Sequence, residues 1–571
     1  MVERPLPLRR EPRLNAMTVV LGLAVAVLLV IVVYPLLWLL LAAFGLPNEF
    51  GLSHFVRAYA RSQNVQPLVN TIILAIGAGF FSVVLGVPLA WATACTDMPL
   101  RKTVRACVAL SYITPPYLTA LAFIILMGPD AGYLNRLVRL VIDVPSGPFN
   151  VFGMTGIILV ISLHVFAFTY FLTEAALKSV DASLEEAAQM LGARRWTTVV
   201  RINLPLVAPA ITGGALLAAV ESLALFGPQS FLGTPAQISF LPTRIYGVIS
   251  SYPPRWGEAA ALSLILILLT CIGLLIQRSY LQRRSYVTIG GKGGRQRPAR
   301  LGAWKWPLLG LCLLIVFFSA IAPVGVLVLA SFSDSWVAPL SSANFTLRHF
   351  QSALLEDQMA VRGIWNSFRL ATAAGLIAVV IGAAIAYIDL RTRVTGRRLL
   401  DYLALLPLGL PGTVMAIGLL LAFIRPPLVL YGTIWILLVA YVARFIPLAT
   451  RSVNSSLRQL EPSLEEAARI TGATWMQSIR LILLPLVRPG LVVAFLLVFI
   501  PAFAELSATV LLYSSGTETI SIAIFRLNDL GQLEVVSALS VFTIAVVLIV
   551  SLGLNWYSAR LPKRRQALPK D

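Results

Sequence analysis

Ser183-Leu-Glu-Glu-Ala-Ala188 recurs in this chain as Ser463-Leu-Glu-Glu-Ala-Ala468. Each copy meets a glycine at the same distance, Gly192 and Gly472, and then reaches Ile-x-Leu-Pro-Leu-Val, from Ile202 to Val207 and from Ile482 to Val487. Upstream, Asn70-Thr71 matches Asn366-Ser367, and Pro115 matches Pro411. Self-similarity on this scale means two copies of one structural unit. The first copy is longer between its Pro115 and Ser183 matches, which places an insertion around 130–152.

What surrounds these stretches is apolar. Hydrophobic types make up 58% of the 571 residues and charged types 12%, far from the quarter charged of an ordinary soluble domain. Crossing the roughly 30 Å hydrocarbon core takes about 20 apolar residues as a helix. Blocks of that kind predict about twelve spans, near 17–44, 67–96, 103–127, 153–177, 205–227, 257–277, 305–332, 363–388, 397–424, 430–450, 485–511 and 532–557. Helices satisfy every backbone group within one segment in lipid, so the expected fold is all-α: a polytopic membrane protein of two tandem six-helix halves. Six is even, so the halves have the same orientation and flank a pseudo-two-fold axis along the membrane normal. The first block is too long for the apolar stretch of a secretory signal and reads as an uncleaved span.

The net charge of +20 follows the membrane rather than nucleic acid. Lys and Arg concentrate on one set of loops, densest at 278–305 and in the tail from Arg560 to Lys570. That bias places these loops and both termini in the cytoplasm. Four cysteines (Cys95, Cys107, Cys271, Cys312) and three histidines (His54, His164, His349) are scattered. They suggest buried thiols and no disulfide framework or metal site.

The repeated stretch reads as a short helix. Ser183 with Glu186, and Ser463 with Glu466, have the spacing of a capping box. Ala187, Ala188, Ala467 and Ala468 propagate the helix, and Gly192 and Gly472 sit where a left-handed residue ends it. About two turns of helix are marginal in water alone, so another protein is expected to pack on the alanine face.

Glu-Ala-Ala, three residues, Gly, nine residues, Ile-x-Leu-Pro resembles the signature loop of the binding-protein-dependent ABC import permeases, and the chain carries it twice without a gap. The resemblance implies two type I importer permease halves fused in one chain. In that family the loop is a coupling helix seated in a groove of an ATPase subunit. It therefore implies two copies of that subunit docked at Glu186, Ala187, Ala188 and Gly192 and at Glu466, Ala467, Ala468 and Gly472, and a periplasmic solute-binding protein on the other face. The domains that follow are 1–66 (N-terminus, first span and periplasmic loop), 67–277 with coupling loop 181–205, a basic cytoplasmic linker 278–304, 305–362 (seventh span and loop), 363–557 with coupling loop 461–485, and a basic tail 558–571. The chain contains no G-x-x-x-x-G-K-[ST] phosphate loop; the Gly-rich run 290–294 lacks the Ser/Thr and the preceding strand. No catalytic, cofactor-binding or metal residue is expected in the chain, and ATP and Mg are expected on the separate ATPase.

Within that family the chain most resembles the ferric-iron permeases, through Phe226-Gly-Pro228, Leu241-Pro-Thr-Arg-Ile-Tyr246, Ser251-Tyr-Pro-Pro254 and the run from Glu505 to Tyr513. Thiamine, aminoalkylphosphonate, sugar-phosphate and polyamine permeases share much of this pattern. Glu221 and Glu505, read as lying in the fifth and eleventh spans at similar places, are candidates for a cation path or for ties between helix ends. His164 reads as a hydrogen-bonded interior residue, and Tyr246 and Tyr252 as interfacial anchors. The segments 45–67, 130–152, 231–256 and 333–361 are the expected docking surface for the binding protein. A secondary transporter is the main rival, because Asp389 to Arg398 resembles the Asp-Arg-x-Gly-Arg-Arg loop of the major facilitators, though it occurs once and the positive-inside bias accounts for it. A membrane scaffold without cargo is the second rival.

Overall fold

The computed structural model describes residues 16–46, 50–142, 147–181, 188, 190–192, 195–283, 299–338, 341–392 and 394–560. Among these no strand is present, only the isolated bridges Thr96–Ala299 and Ser333–Phe345. Ten helices are long and apolar enough to cross a membrane, from Val19–Ala43 to Leu533–Leu554, and two further segments are bent pairs.

The bent pairs correct the expectation of straight third and ninth spans. Arg101–Ile113 and Pro116–Met127 meet at 102°, and Arg397–Gly409 and Gly412–Phe423 at 113°. The physical cause is proline. Thr114 and Leu410 precede Pro115 and Pro411, and both hold extended backbone, as crowding by the proline ring demands. The first arm of each pair is amphipathic and basic at its start, through Arg101 and Lys102 or Arg397 and Arg398. The second arm is almost wholly buried; in Gly412–Phe423 every residue is. Twelve residues rise only about 18 Å, too short to cross alone, so the two arms of each bent pair count together as one broken span.

Proline also shapes the continuous spans. Wide π turns occupy Leu29–Val33, Val199–Asn203, Phe317–Ile321 and Ile479–Leu483. Each is followed two residues on by a proline: Pro35, Pro205, Pro323 and Pro485. A proline lacks the N–H for the regular helical bond and its ring presses on the carbonyl four residues back. A single wide turn accommodates both. The Leu-Pro of the repeated motif thus fixes a π turn where each repeated loop enters its span.

The duplication is visible atom by atom. Thr71 Oγ1 accepts a hydrogen bond from Leu241 N and Ser367 Oγ accepts one from Ile520 N, both at 2.9 Å. Asn70 donates to Ser239 O at 3.0 Å and Asn366 to Glu518 O at 2.8 Å. A Cβ on Gly86 would stand 3.0 Å from Tyr170 N, and one on Gly382 would stand 2.9 Å from Thr450 N. These two glycines let the second span close on the fourth and the eighth on the tenth, as small residues do between membrane helices.

The halves interlock. The first span packs on Trp256–Arg283 of its own half and on Gly412–Phe423 of the other; the seventh packs on Leu533–Arg560 and on Pro116–Met127. A Cβ on Gly418 would meet Pro35 O at 2.9 Å, so the first span's backbone lies directly on the partner half's buried helix. Beyond the opposite ends of the spans, Arg136 donates to the carbonyls of Val337 and Trp336 at 2.7 and 2.9 Å, joining the loops around 130–152 and 333–361.

Candidate functional site

The second repeated loop is seen whole. Ser463–Ile470 is a helix of eight residues that ends in a left-handed Gly472 at φ +86°. Ala473 N bonds to Ala468 O at 3.0 Å and Gly472 N to Arg469 O at 3.0 Å, the closure that a glycine in this position permits. Of the first loop, Ala188 is buried and helical and Gly192 holds φ +81°. Ser183, Glu186 and Ala187 lie outside the described residues.

The capping box expected at Ser463 and Glu466 does not form. Pro462 precedes the helix and offers no side-chain cap, and Ser463 Oγ bonds instead to Glu461 Oε2 at 3.3 Å. Glu466 and Ala467 are exposed. The reciprocal cap lies farther on, where Thr474 and Gln477 exchange bonds of 2.8 and 3.3 Å at the start of Trp475–Ser478.

The buried acid of this loop is Glu465. Its Oε2 accepts from the Tyr387 hydroxyl at 3.0 Å, and its Oε1 lies 3.2 Å from Arg391 Nε. Trp475 Nε1 donates to the same hydroxyl at 3.2 Å. These bonds fix the helix to the end of the eighth span and leave its other face outward. That face carries Glu466, Ala467 and Ile470, the last 87% exposed. Met190, at the matching step of the first loop, is also 87% exposed. Both large apolar side chains thus stand exposed at the same step of the two loops. Sequence reading passed over both. Their shared position two residues before each glycine was the available signal.

Of the two candidate path acids, Glu221 lies near the end of the fifth span, Val199–Ala224, and is partly buried. Glu505 lies beyond the eleventh span, which ends at Phe503. Glu221 thus lies in its expected span and Glu505 just outside its own; in the Leu-Pro register they stand four residues apart, Glu221 matching Pro501 and Glu505 matching Leu225. The eleventh span ends at Phe503, within one residue of the step at which the fifth span ends at Ala224. Glu505 is 6% exposed; its Oε1 accepts from Ala508 N at 3.1 Å and pairs with Arg444 Nε at 3.5 Å. It ties a helix end, and it also carries a charge at the seam between the halves.

His164 is buried in the fourth span, with a bond to the Ser111 backbone. Tyr252 is fully exposed, as an anchor would be, but Tyr246 is not one. Its ring packs edge-on to Phe226 at 5.4 Å and Phe525 at 6.2 Å, within the seam. The four cysteines are free, and among the described residues no group of three His, Cys, Asp or Glu could hold a metal.

The chain matches the family described as "Binding-protein-dependent transport system inner membrane component" over residues 82–286 and again over 378–566. A putative ferric transport system permease protein of Haemophilus influenzae is 29% identical over 85% of this chain and 76% of its own length. The ferric transport system permease protein of Actinobacillus pleuropneumoniae is 27% identical over 95% of this chain and 79% of its own. A putative 2-aminoethylphosphonate transport system permease protein of Salmonella paratyphi A is 31% identical, over 44% of this chain and 93% of its own. Two family matches in tandem, on two superposable sets of tethers, leave one reading: the chain belongs to the binding-protein-dependent transport system inner membrane components, as a multi-pass ABC importer permease with both halves in one polypeptide.

Proposed function

We propose that this permease forms the path by which ferric iron, delivered by a periplasmic binding protein, enters the cytoplasm. The observation that carries it is the pair of relatives named as ferric permeases, aligned over 85% and 95% of the chain. Two copies of a separate ATPase, which binds ATP and Mg, seat on the outward faces of the repeated loops, around Met190 and around Glu466 and Ile470. Both termini and the basic linker 278–304 lie on the same cytoplasmic side as the loops, in keeping with their Lys and Arg. The chain performs no bond chemistry itself. A hard cation such as ferric ion is held by oxygen donors, and the full coordination is the binding protein's task; the permease offers a transient route. Glu221 and Glu505 line that route.

The likeness of 44% of the chain to a 2-aminoethylphosphonate permease favours one second reading, the same machinery with an organophosphonate cargo. The deciding experiment is uptake into vesicles holding the permease and its ATPase, with the cognate binding protein outside. Radioactive ferric ion accumulates only with ATP if the proposal holds. Accumulation of 2-aminoethylphosphonate or thiamine, with no iron, overturns it.

A further inference from the structure

The register of the two halves places His164 and Arg444 at the same step of equivalent helices, Met154–Ser179 and Ile434–Arg458. Tyr117 and Thr413 likewise stand at the same step, two residues after Pro115 and Pro411, at the start of the short buried helices. His164 Nδ1, Arg444 Nη1, Tyr117 OH, Thr413 Oγ1 and Glu505 Oε2 are all buried without a hydrogen-bond partner. Buried polar atoms are nearly always paired. Arg444 and Ser507 crowd Gly412, and Tyr117 and Leu506 crowd Gly227, so the orphans on Tyr117, Thr413, Arg444 and Glu505 gather at the seam and mark it as a place that something else fills.

The charges there are not a closed pair. Arg444 touches Glu505 through a single Nε–Oε1 approach of 3.5 Å, and that oxygen is shared with Ala508 N at 3.1 Å. The second carboxylate oxygen and Nη1 make no bond. The tighter Arg255–Glu258 pair, at 2.7 Å, shows what a committed contact looks like in this protein. Gly412 makes room for the guanidinium, since a Cβ there would collide with Nη1. Arg444 also has two other places to go. Its guanidinium carbon lies 5.8 Å from the Phe445 ring centroid, and Glu221 of the other half is within its electrostatic range.

We propose that Arg444 is a tethered counter-ion that holds Glu505 while the path is empty and yields it to a cationic cargo, its guanidinium then passing to Glu221. Arginine suits the task because it does not lose its charge by deprotonation, so the buried Glu505 is never left without a counter-ion. Tyr117 OH and the freed Oε2 supply oxygen donors of the kind a hard cation takes. Exchange of one cation for another leaves Glu505 paired throughout and links the acids of both halves through one side chain. The inference rests on the reading of the cargo as ferric iron.

The test uses the full chain, purified in lipid nanodiscs, and terbium(III) as the probe, a hard trivalent ion whose emission is excited through nearby tyrosine rings. Arg444→Gln is expected to bind terbium at least tenfold more tightly than the unaltered chain, and adding Glu505→Gln is expected to abolish the gain. Tyr117→Phe in the Arg444→Gln background should lower the sensitised emission. A folded Arg444→Gln chain that binds no more tightly, or a gain that survives Glu505→Gln, overturns the proposal. Should Arg444→Gln fail to fold, Arg444→Lys serves: a compact ammonium cannot hold the same contact, so a smaller gain in the same direction is expected, and no gain overturns it. Iron uptake by the unaltered permease is read separately. Uptake without the terbium gain sinks the counter-ion and spares the cargo; the terbium gain without uptake does the reverse.

Discussion

Tyr387 donates its hydroxyl hydrogen to Glu465 across 3.0 Å, and this bond joins the second repeated loop to the end of the eighth span. Arg391 and Trp475 complete the joint. In the register set by Asn70 and Asn366, Trp91 and Cys95 occupy the places of Tyr387 and Arg391. The side chains of the eighth span that fasten the second loop are therefore not repeated in the first half.

Glu465→Ala should therefore damage the second loop more than Glu466→Ala. Removing Glu465 leaves Arg391 buried without its acid, a loss on the order of 3 kcal/mol for a broken buried pair. Glu466 is exposed, and its loss should change stability by less than about 0.5 kcal/mol. Thermal unfolding of the two variants in detergent compares them directly. Equal shifts would refute the joint.

The outward faces of the loops should be where the ATPase is lost. Met190→Asp with Ile470→Asp is expected to abolish co-purification of the ATPase while leaving the permease folded. Glu186→Lys with Glu466→Lys should do the same or uncouple hydrolysis from uptake. Full retention of a coupled ATPase by both double variants would remove the docking assignment.

Pro205→Ala and Pro485→Ala should let the π turns at Val199–Asn203 and Ile479–Leu483 relax toward regular helix. One wide turn lost rotates everything before it by a fraction of a turn relative to the span. ATP hydrolysis should persist while cargo uptake falls several-fold, a split that assays on the same vesicles would reveal. Uptake that tracks hydrolysis would show that the wide turn is incidental.

Gly382→Val should be less tolerated than a valine at Gly310, which has open space around it. A branched side chain at 382 meets the backbone of the tenth span, and overpacking of this kind costs about 1–3 kcal/mol. The yield of folded protein from membranes is the measurement, and equal yields would contradict the packing.

The apolar blocks and the twin motif made the span count, the duplication and the left-handed glycines legible from sequence alone. Asn70-Thr71 and Asn366-Ser367 were visible as a match, but their role as tethers to Ser239–Leu241 and Glu518–Ile520 needs contacts far apart in the chain. The bends at Pro115 and Pro411 escaped because hydropathy runs on unbroken through them; the residue before each proline was the only local sign. Glu465 escaped because two adjacent glutamates differ only in which side of the helix they take, and Pro462 shifts that helix away from a serine cap. Arg444, a charge near the middle of the tenth span, was readable as a functional residue by the same argument applied to Glu221 and Glu505.

The exchange of arms has a consequence for how the protein is made. The first span emerges from the ribosome long before the helix Gly412–Phe423 on which half of it must rest. Until then it stands in the bilayer with one flank bare to lipid, and the seventh span must reach back to a helix that has been waiting since the first half was inserted. Neither half can reach its finished packing during synthesis of its own sequence, so a stop codon in the basic linker would release a bundle missing one of its walls rather than a working half.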